Sequence, residues 1–178
     1  MPPRSPKPSA GQLTVVYGAK SGPGTGRPNS VYSQDTPGMP GDSQGRDRFG
    51  PAAVGDVNGD DRPDLVINAP GEDDGNGRFT VLPGAQDGPP ATAGAAVFDL
   101  ETPGVTTRHK NTIHHGFGAD FPLLDINGDS HLDVVASAPG YRVFRGGFWY
   151  FPGSAKGLAA DTSRYTDPAE LGLRPRVP

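Results

Sequence analysis

Two short stretches of the chain place oxygen-bearing side chains at alternate positions. In GDVNGDDRPDLVINAPG, residues 55–71, they are Asp56, Asn58, Asp60 and Asp64. In LDINGDSHLDVVASAPG, residues 124–140, they are Asp125, Asn127, Asp129 and Asp133. Oxygens at loop positions one, three, five and nine can converge on one hard cation if the chain curls around it. The backbone carbonyl at position seven, Arg62 or His131, can add another. Short loops bind calcium in this way. One copy could be chance, but two copies 69 residues apart with matching flanks point to an internal repeat.

The elements that must hold these loops recur with them. Phe-Gly stands before each loop, at Phe49-Gly50 and Phe117-Gly118. After each loop an apolar run, Leu65 to Ile67 or Val134 to Ala136, leads into Ala-Pro-Gly. A third element, GQLTVVYG from Gly11, GRFTVLPG from Gly77 and GFWYFPG from Gly147, is one short strand set between glycines. The chain therefore reads as a half repeat, a whole repeat and most of a second whole repeat.

Short β-type runs bounded by Gly, Pro or Asx clusters predict strands near 12–17, 30–33, 51–54, 64–68, 78–82, 95–100, 120–124, 133–137, 147–151 and 163–166. The runs after the loops lack alternation, which predicts inner strands buried on both faces. No sustained helical period occurs, although Asp167 to Leu173 can make one turn. Residues 86–95 and 101–112 are polar and read as loops. About four strands per repeat of nearly 70 residues suits a propeller blade, whose two faces are buried by stacking against neighbouring blades.

Composition narrows the class further. Gly and Pro, 27 and 21 of 178 residues, fall mainly between the predicted strands, which favours many tight turns over uniform disorder. The ends, Met1 to Ala10 and Arg174 to Pro178, read as linker-like. A net charge of −4 without a basic stripe gives no sign of nucleic-acid binding. No run of 18 apolar residues is present to span a membrane. The absence of Cys removes disulfides, thiolate catalysis and Cys-zinc sites from consideration. Met1 to Ala10 has no apolar core of a signal peptide.

Phe-Gly, then G-D-x-N-G-D-x-x-x-D, then a strand ending in Ala-Pro, resembles the FG-GAP repeat of integrin α-subunit β-propellers and of many bacterial secreted and surface proteins. The resemblance covers roughly residues 11–155. It implies an all-β fold, a partial β-propeller of about two and a half four-stranded blades with calcium-binding hairpin loops. The implied organisation is a disordered N-terminal segment at 1–10, blades over 11–166 (11–48 partial, 49–116 and 117–166) and a C-terminal tail at 167–178. Carried over by position, calcium ligands are Asp56, Asn58, Asp60, the Arg62 carbonyl and Asp64, then Asp125, Asn127, Asp129, the His131 carbonyl and Asp133.

Three departures stand out. The family usually has Gly at loop position six, where the backbone takes a left-handed conformation, and this chain has Asp61 and Ser130. Asp tolerates that conformation better than Ser does. The family's Gly before Ala-Pro is replaced by Asn68 and Ser137. Two and a half repeats also cannot close a seven-bladed ring. The chain is then a fragment of a longer reading frame, an assembly with other copies, or an open array, and the fragment is the favoured expectation.

Rival readings have weaker support. An EF-hand loop ends in a bidentate Glu at position twelve, where this chain has Ile67 or Ala136 inside an apolar strand. A dockerin-type module fails for the same reason. His109, His114 and His115 read as exposed loop histidines, and Arg78, Arg142 and Arg145 as solvated charges. Of the aromatics Phe144, Phe148, Trp149, Tyr150 and Phe151, at least half belong in the core. No nucleophile elbow, phosphate loop or His-Glu-x-x-His occurs. The expected function is a non-enzymatic, calcium-binding segment of a secreted or cell-surface propeller, extracellular by resemblance, in adhesion or in protein or carbohydrate binding. Its expected partners are calcium and the remaining blades or other copies of the chain. The alternative is an accessory propeller fragment of a secreted hydrolase of lipase or phospholipase type.

Overall fold

Short β-branched and aromatic runs between turn residues pair with their neighbours in sequence, so the chain builds meanders. The computed structural model describes residues 7–86, 88–107 and 114–173. Ten strands are present among them: β1 Leu13–Val15, β2 Ser30–Tyr32, β3 Ala52–Gly55, β4 Asp64–Ala69, β5 Arg78–Leu82, β6 Ala96–Phe98, β7 Leu123–Leu124, β8 Asp133–Ser137, β9 Phe148–Phe151 and β10 Arg164–Thr166. They form three antiparallel sheets, β1-β2, β3-β4-β5-β6 and β7-β8-β9-β10. The fold is all-β, and the ends of each strand lie within three residues of their predicted places. The turn expected after Asp167 is a 3-10 turn at Pro168–Leu171, capped by the Asp167 side chain. Among the described residues no helix is long and apolar enough to cross a membrane.

Of the two inner strands, β4 meets the expectation of burial on both faces, while β8 leaves Val135 and Ser137 half-buried. Every residue of β4 is buried, and its side chains alternate between two cores. Leu65, Ile67 and Ala69 join Tyr32, Met39, Phe49 and Leu82 on one side. Val66 joins Phe79, Val81, Phe98, Val134, Trp149 and Phe151 on the other. The strand period of two thus lets one strand serve two layers. Phe79, Phe98, Phe117 and Phe151 pack as stacked or edge-on rings 5.0–6.3 Å apart. In β9 Trp149 and Phe151 are fully buried while Phe148 and Tyr150 are half-buried, as alternation predicts, and Phe144 in the preceding turn is exposed.

Each whole repeat is tied by the same backbone contacts. The Gly50 amide donates to the Asn68 carbonyl (3.1 Å), and the Gly118 amide to the Ser137 carbonyl (2.7 Å). The Ala-Pro-Gly glycine then turns back beside the Phe-Gly segment. The Gly71 amide donates to Asp47 (3.0 Å) and the Gly140 amide to His115 (2.9 Å). A Cβ on Gly71 would lie 1.8 Å from the Arg46 carbonyl oxygen, and one on Gly140 1.9 Å from that of His114. Only a residue without a side chain permits this approach.

Several charged and terminal residues differ from their sequence-based expectation. His115 is buried, tilted against the Tyr141 ring, and burial lowers its pKa. His109 lies outside the described residues. Arg78 pairs with buried Glu72 (3.1 Å) and with Asp73 (3.0 Å), while Arg142 pairs with Asp167. These arginines are part of the packing because a neighbouring turn brings a carboxylate to each. Residues 8–10, expected to belong to a disordered lead, instead accept backbone hydrogen bonds from Arg46, Arg48 and Phe49.

Candidate metal loops

The β3–β4 and β7–β8 connections carry the two acidic loops, each joining the first pair of strands in its sheet. Both are wound by their own Asx side chains. In the first, Asp56 Oδ1 accepts the amides of Asn58 (3.2 Å), Gly59 (2.6 Å) and Asp60 (3.2 Å), and Oδ2 accepts that of Asp61 (2.8 Å). Asn58 Oδ1 accepts the Asp60 amide (3.1 Å), and Asp60 Oδ1 the Arg62 amide (2.9 Å). In the second, Asp125 accepts the amides of Gly128 (2.7 Å), Asp129 (3.1 Å) and Ser130 (3.0 Å). Asn127 accepts that of Asp129 (2.9 Å), and Asp129 that of His131 (2.9 Å). Short Asx side chains bond their own backbone readily, so the alternation of these residues is itself what curls the loop.

The backbone at position six is left-handed in both loops, with φ of 62° at Asp61 and 70° at Ser130. This is the conformation expected where the family usually has Gly. Asp and Ser adopt it here under the restraint of the Asp56 and Asp125 carboxylates.

The ninth-position acids are placed differently from the rest. Asp64 is buried, with Oδ2 accepting the Val57 amide (2.9 Å) and Oδ1 the Gly84 amide (2.8 Å). Asp133 repeats this with the amides of Ile126 (2.9 Å) and Gly153 (2.8 Å), and also accepts the Tyr150 hydroxyl (3.1 Å). Each acid thereby ties the start of its loop to the end of a strand 20 residues downstream. Gly84 and Gly153 were not anticipated as partners. The recurring Pro-Gly, 20 residues after each acid, is the sequence signal that marks them.

The electrostatics are those of crowded carboxylates. Burial raises the pKa of Asp64, the hydrogen bonds from Gly84 and Val57 oppose the rise, and the charges of Asp60 and Asp56 add to it. Asp129 is held below the usual carboxylate range, first by the His131 amide and then by the Asn127 side chain. The two loops also adjoin: the Leu132 amide donates to the Asp56 carbonyl (3.0 Å), and the Ser154 amide to that of Val57 (3.2 Å).

The donor set of each loop is wholly oxygen, from carboxylates, an amide and a carbonyl, which suits a hard divalent cation. As placed, the carboxylates face the loop amides, and among the described residues no group of three acidic or imidazole side chains converges to hold a metal. Each series of sequence-predicted residues thus lies in a single loop, with its side-chain oxygens bonded to loop amides.

Comparison with known proteins follows these boundaries. A search of curated proteins finds no match. The FG-GAP repeat family matches residues 52–82 and 117–151, which run from β3 through β5 and from Phe117 through β9. Each match contains one acidic loop, its ninth-position acid and the following Ala-Pro-Gly turn. The chain carries two FG-GAP repeats.

Proposed function

We propose that the chain is a non-enzymatic, calcium-stabilised segment of a β-propeller, belonging to a secreted or cell-surface protein and serving adhesion or protein or carbohydrate binding. The blades occupy residues 11–166, divided at 49 and 117, with a tail from 167. The observation that carries the calcium reading is the duplicated loop, in which the same acids at the same positions wind the same backbone twice. Asp56, Asn58, Asp60 and Asp64, with the Arg62 carbonyl, would hold one ion. Asp125, Asn127, Asp129 and Asp133, with the His131 carbonyl, would hold the second.

The ion's role in this reading is structural. Burial chiefly raises the pKa of Asp64, the charges of Asp60 and Asp56 add to the rise, and a divalent cation among the three would offset both effects. The extracellular setting follows from the habits of the family and from the millimolar calcium that such loops can use.

Calorimetric titration of calcium into metal-free protein tests the reading. About two sites per chain are expected, with affinity anywhere from micromolar to millimolar. Asp56→Ala and Asp125→Ala should each abolish one site. Metal bound only by the folded chain would add about 2.7 kcal/mol of stability at a hundredfold excess over Kd. Absence of binding at millimolar calcium, with no change in melting temperature on chelation, refutes the proposal.

A further inference from the structure

A cavity of about 360 Å³ opens where separate stretches of the chain meet, and no residue of 56–64 or 125–133 lines it. One wall is the segment before the first Phe-Gly, which brings Gln44, Arg46 and Arg48. A second is the turn after Gly71, which brings Asp74. His114, just before the second Phe-Gly, forms the third, and Ser9 closes the rim.

Backbone contacts fix these walls. The amides of Arg46 and Arg48 donate to the carbonyls of Pro8 (2.9 Å) and Ser9 (3.0 Å). Asp47 turns inward between the two arginines, 1% exposed, and its carboxylate accepts the Gln44 amide (2.5 Å). The amides of Gly116 and Phe117 donate to the carbonyls of Gly75 (2.8 Å) and Asn76 (2.7 Å), which holds the neighbouring His114 beside the turn. A Cβ on Gly75 would lie 3.1 Å from the His114 ring, so the imidazole sits close over that glycine.

The backbone around the cavity is unusual. Ser9, Arg46, Arg48, Asp74 and His114 all have positive φ, between 55° and 75°. They are five of the eleven non-glycine residues in that conformation among the described residues, gathered on one cavity. Glycine would take this conformation without cost, and side chains held in it concentrate at ligand-binding sites.

The charge is as uneven as the backbone. Arg46 and Arg48 are exposed, and among the described residues neither joins an ion pair, unlike Arg78 and Arg142. Two guanidinium forks and an imidazole thus share the cavity with the one exposed acid, Asp74. Planar donor forks suit a carboxylate or a sulfate. The Ser9 hydroxyl, Gln44 amide and Asp74 carboxylate suit hydroxyl groups. No Phe, Tyr or Trp lines the cavity, so a nucleobase has no stacking platform there. The volume is that of a small-ligand site.

We propose that this cavity binds an acidic saccharide unit. Arg46 and Arg48 hold its carboxylate or sulfate, and Asp74, Gln44 and Ser9 hold its ring hydroxyls. An acidic sugar carries hydroxyl donors beside its acid group, so it satisfies Asp74, which a purely anionic ligand repels. The inference names a ligand for the binding role in the proposed function, rests on that role, and is independent of the calcium sites.

NMR titration of the isotope-labelled chain in saturating calcium tests it, with glucose, glucuronate, glucose 6-sulfate and inorganic sulfate as probes. Glucuronate or glucose 6-sulfate should shift the side-chain Nε–H signals of Arg46 and Arg48, with affinity about tenfold or more above that for glucose or inorganic sulfate. Arg46→Ala and Arg48→Ala should each weaken the acidic sugar about tenfold, whereas Arg145→Ala, outside the cavity, should not. Asp74→Ala should weaken the acidic sugar without weakening inorganic sulfate, a pattern that unfolding does not give. Thermal melts check that each variant folds, and the wild-type series decides alone where one does not.

Either sugar acid that meets these conditions supports the proposal, and the tighter of the two identifies the acid group. Arginine signals that stay in place with both sugars overturn it. Equal affinity for inorganic sulfate would assign the cavity to anions at large, and tighter binding of a tetraglutamate peptide would assign it to an acidic protein segment. Each of those results also overturns the proposal. If no sugar binds while calorimetry still finds two calcium sites, this inference falls and the calcium reading stands.

Discussion

Asp64 offers a direct measure of how much of each loop is held without metal. Asp64→Ala removes the acceptor of two amides, Val57 at 2.9 Å and Gly84 at 2.8 Å. Val57 is 1% exposed, so water cannot replace the lost partner there. An unsatisfied buried donor costs about 1–3 kcal/mol, and the half-buried Gly84 amide adds a smaller loss, for a sum of about 2–4 kcal/mol. Relief of burying a carboxylate offsets part of this, which places the expected loss toward the lower end of that range. Asp64→Asn keeps one acceptor oxygen and turns an NH₂ toward the other amide, so its loss should be comparable to that of Ala or slightly smaller. Urea unfolding in chelator is the assay, followed by Trp149 fluorescence. If Asp64→Ala loses less than about 0.5 kcal/mol in chelator, within the range of ordinary surface substitutions, the acid does not tie the loop and the reasoning fails. A loss confined to calcium-containing buffer would show that the acid acts only through the ion.

Burial pushes Glu72 from its ordinary 4.5 up to about 7, opposed by the Gln34 hydrogen bond and the Arg78 charge. A carboxyl raised in the folded state contributes stability that is full below about 4.5 and is lost as pH rises through about 7. Glu72→Gln should therefore gain on the wild type as pH rises across that window, and parallel urea midpoints from pH 4.5 to 8 would contradict this. Gly140→Ala forces a Cβ to within 1.9 Å of the His114 oxygen and should cost at least the upper part of about 1–3 kcal/mol. Thermal melting checks it, with Gly18→Ala, which meets nothing within 4 Å and has no positive φ, as a comparison for a glycine in open space.

The strands and the winding of the loops are decided by local chemistry, and so they are legible in the sequence. Val, Ile and Phe between Gly and Pro favour β4 and β5 whatever surrounds them, and the unbroken apolar run of β4 predicts burial on both faces. Asp56, Asn58 and Asp60 bond backbone amides two to five residues ahead. Such contacts need no partner segment, so alternation alone announces them.

Tertiary structure decides which segments meet. Asp64 reaches an amide 20 residues away, and the two loops touch through Leu132 and Asp56. His115 is buried only because the Gly140 turn lies against its backbone and Tyr141 against its ring. Arg78 is paired only because the Gly71 turn presents Glu72 and Asp73 to it. The Phe-Gly dipeptide shows the division well. Its recurrence is visible in the sequence, but its docking on the carbonyls of the preceding repeat is not. A backbone amide looks the same at every residue, so its partner is chosen by sheet packing and by the glycines that allow the close approach.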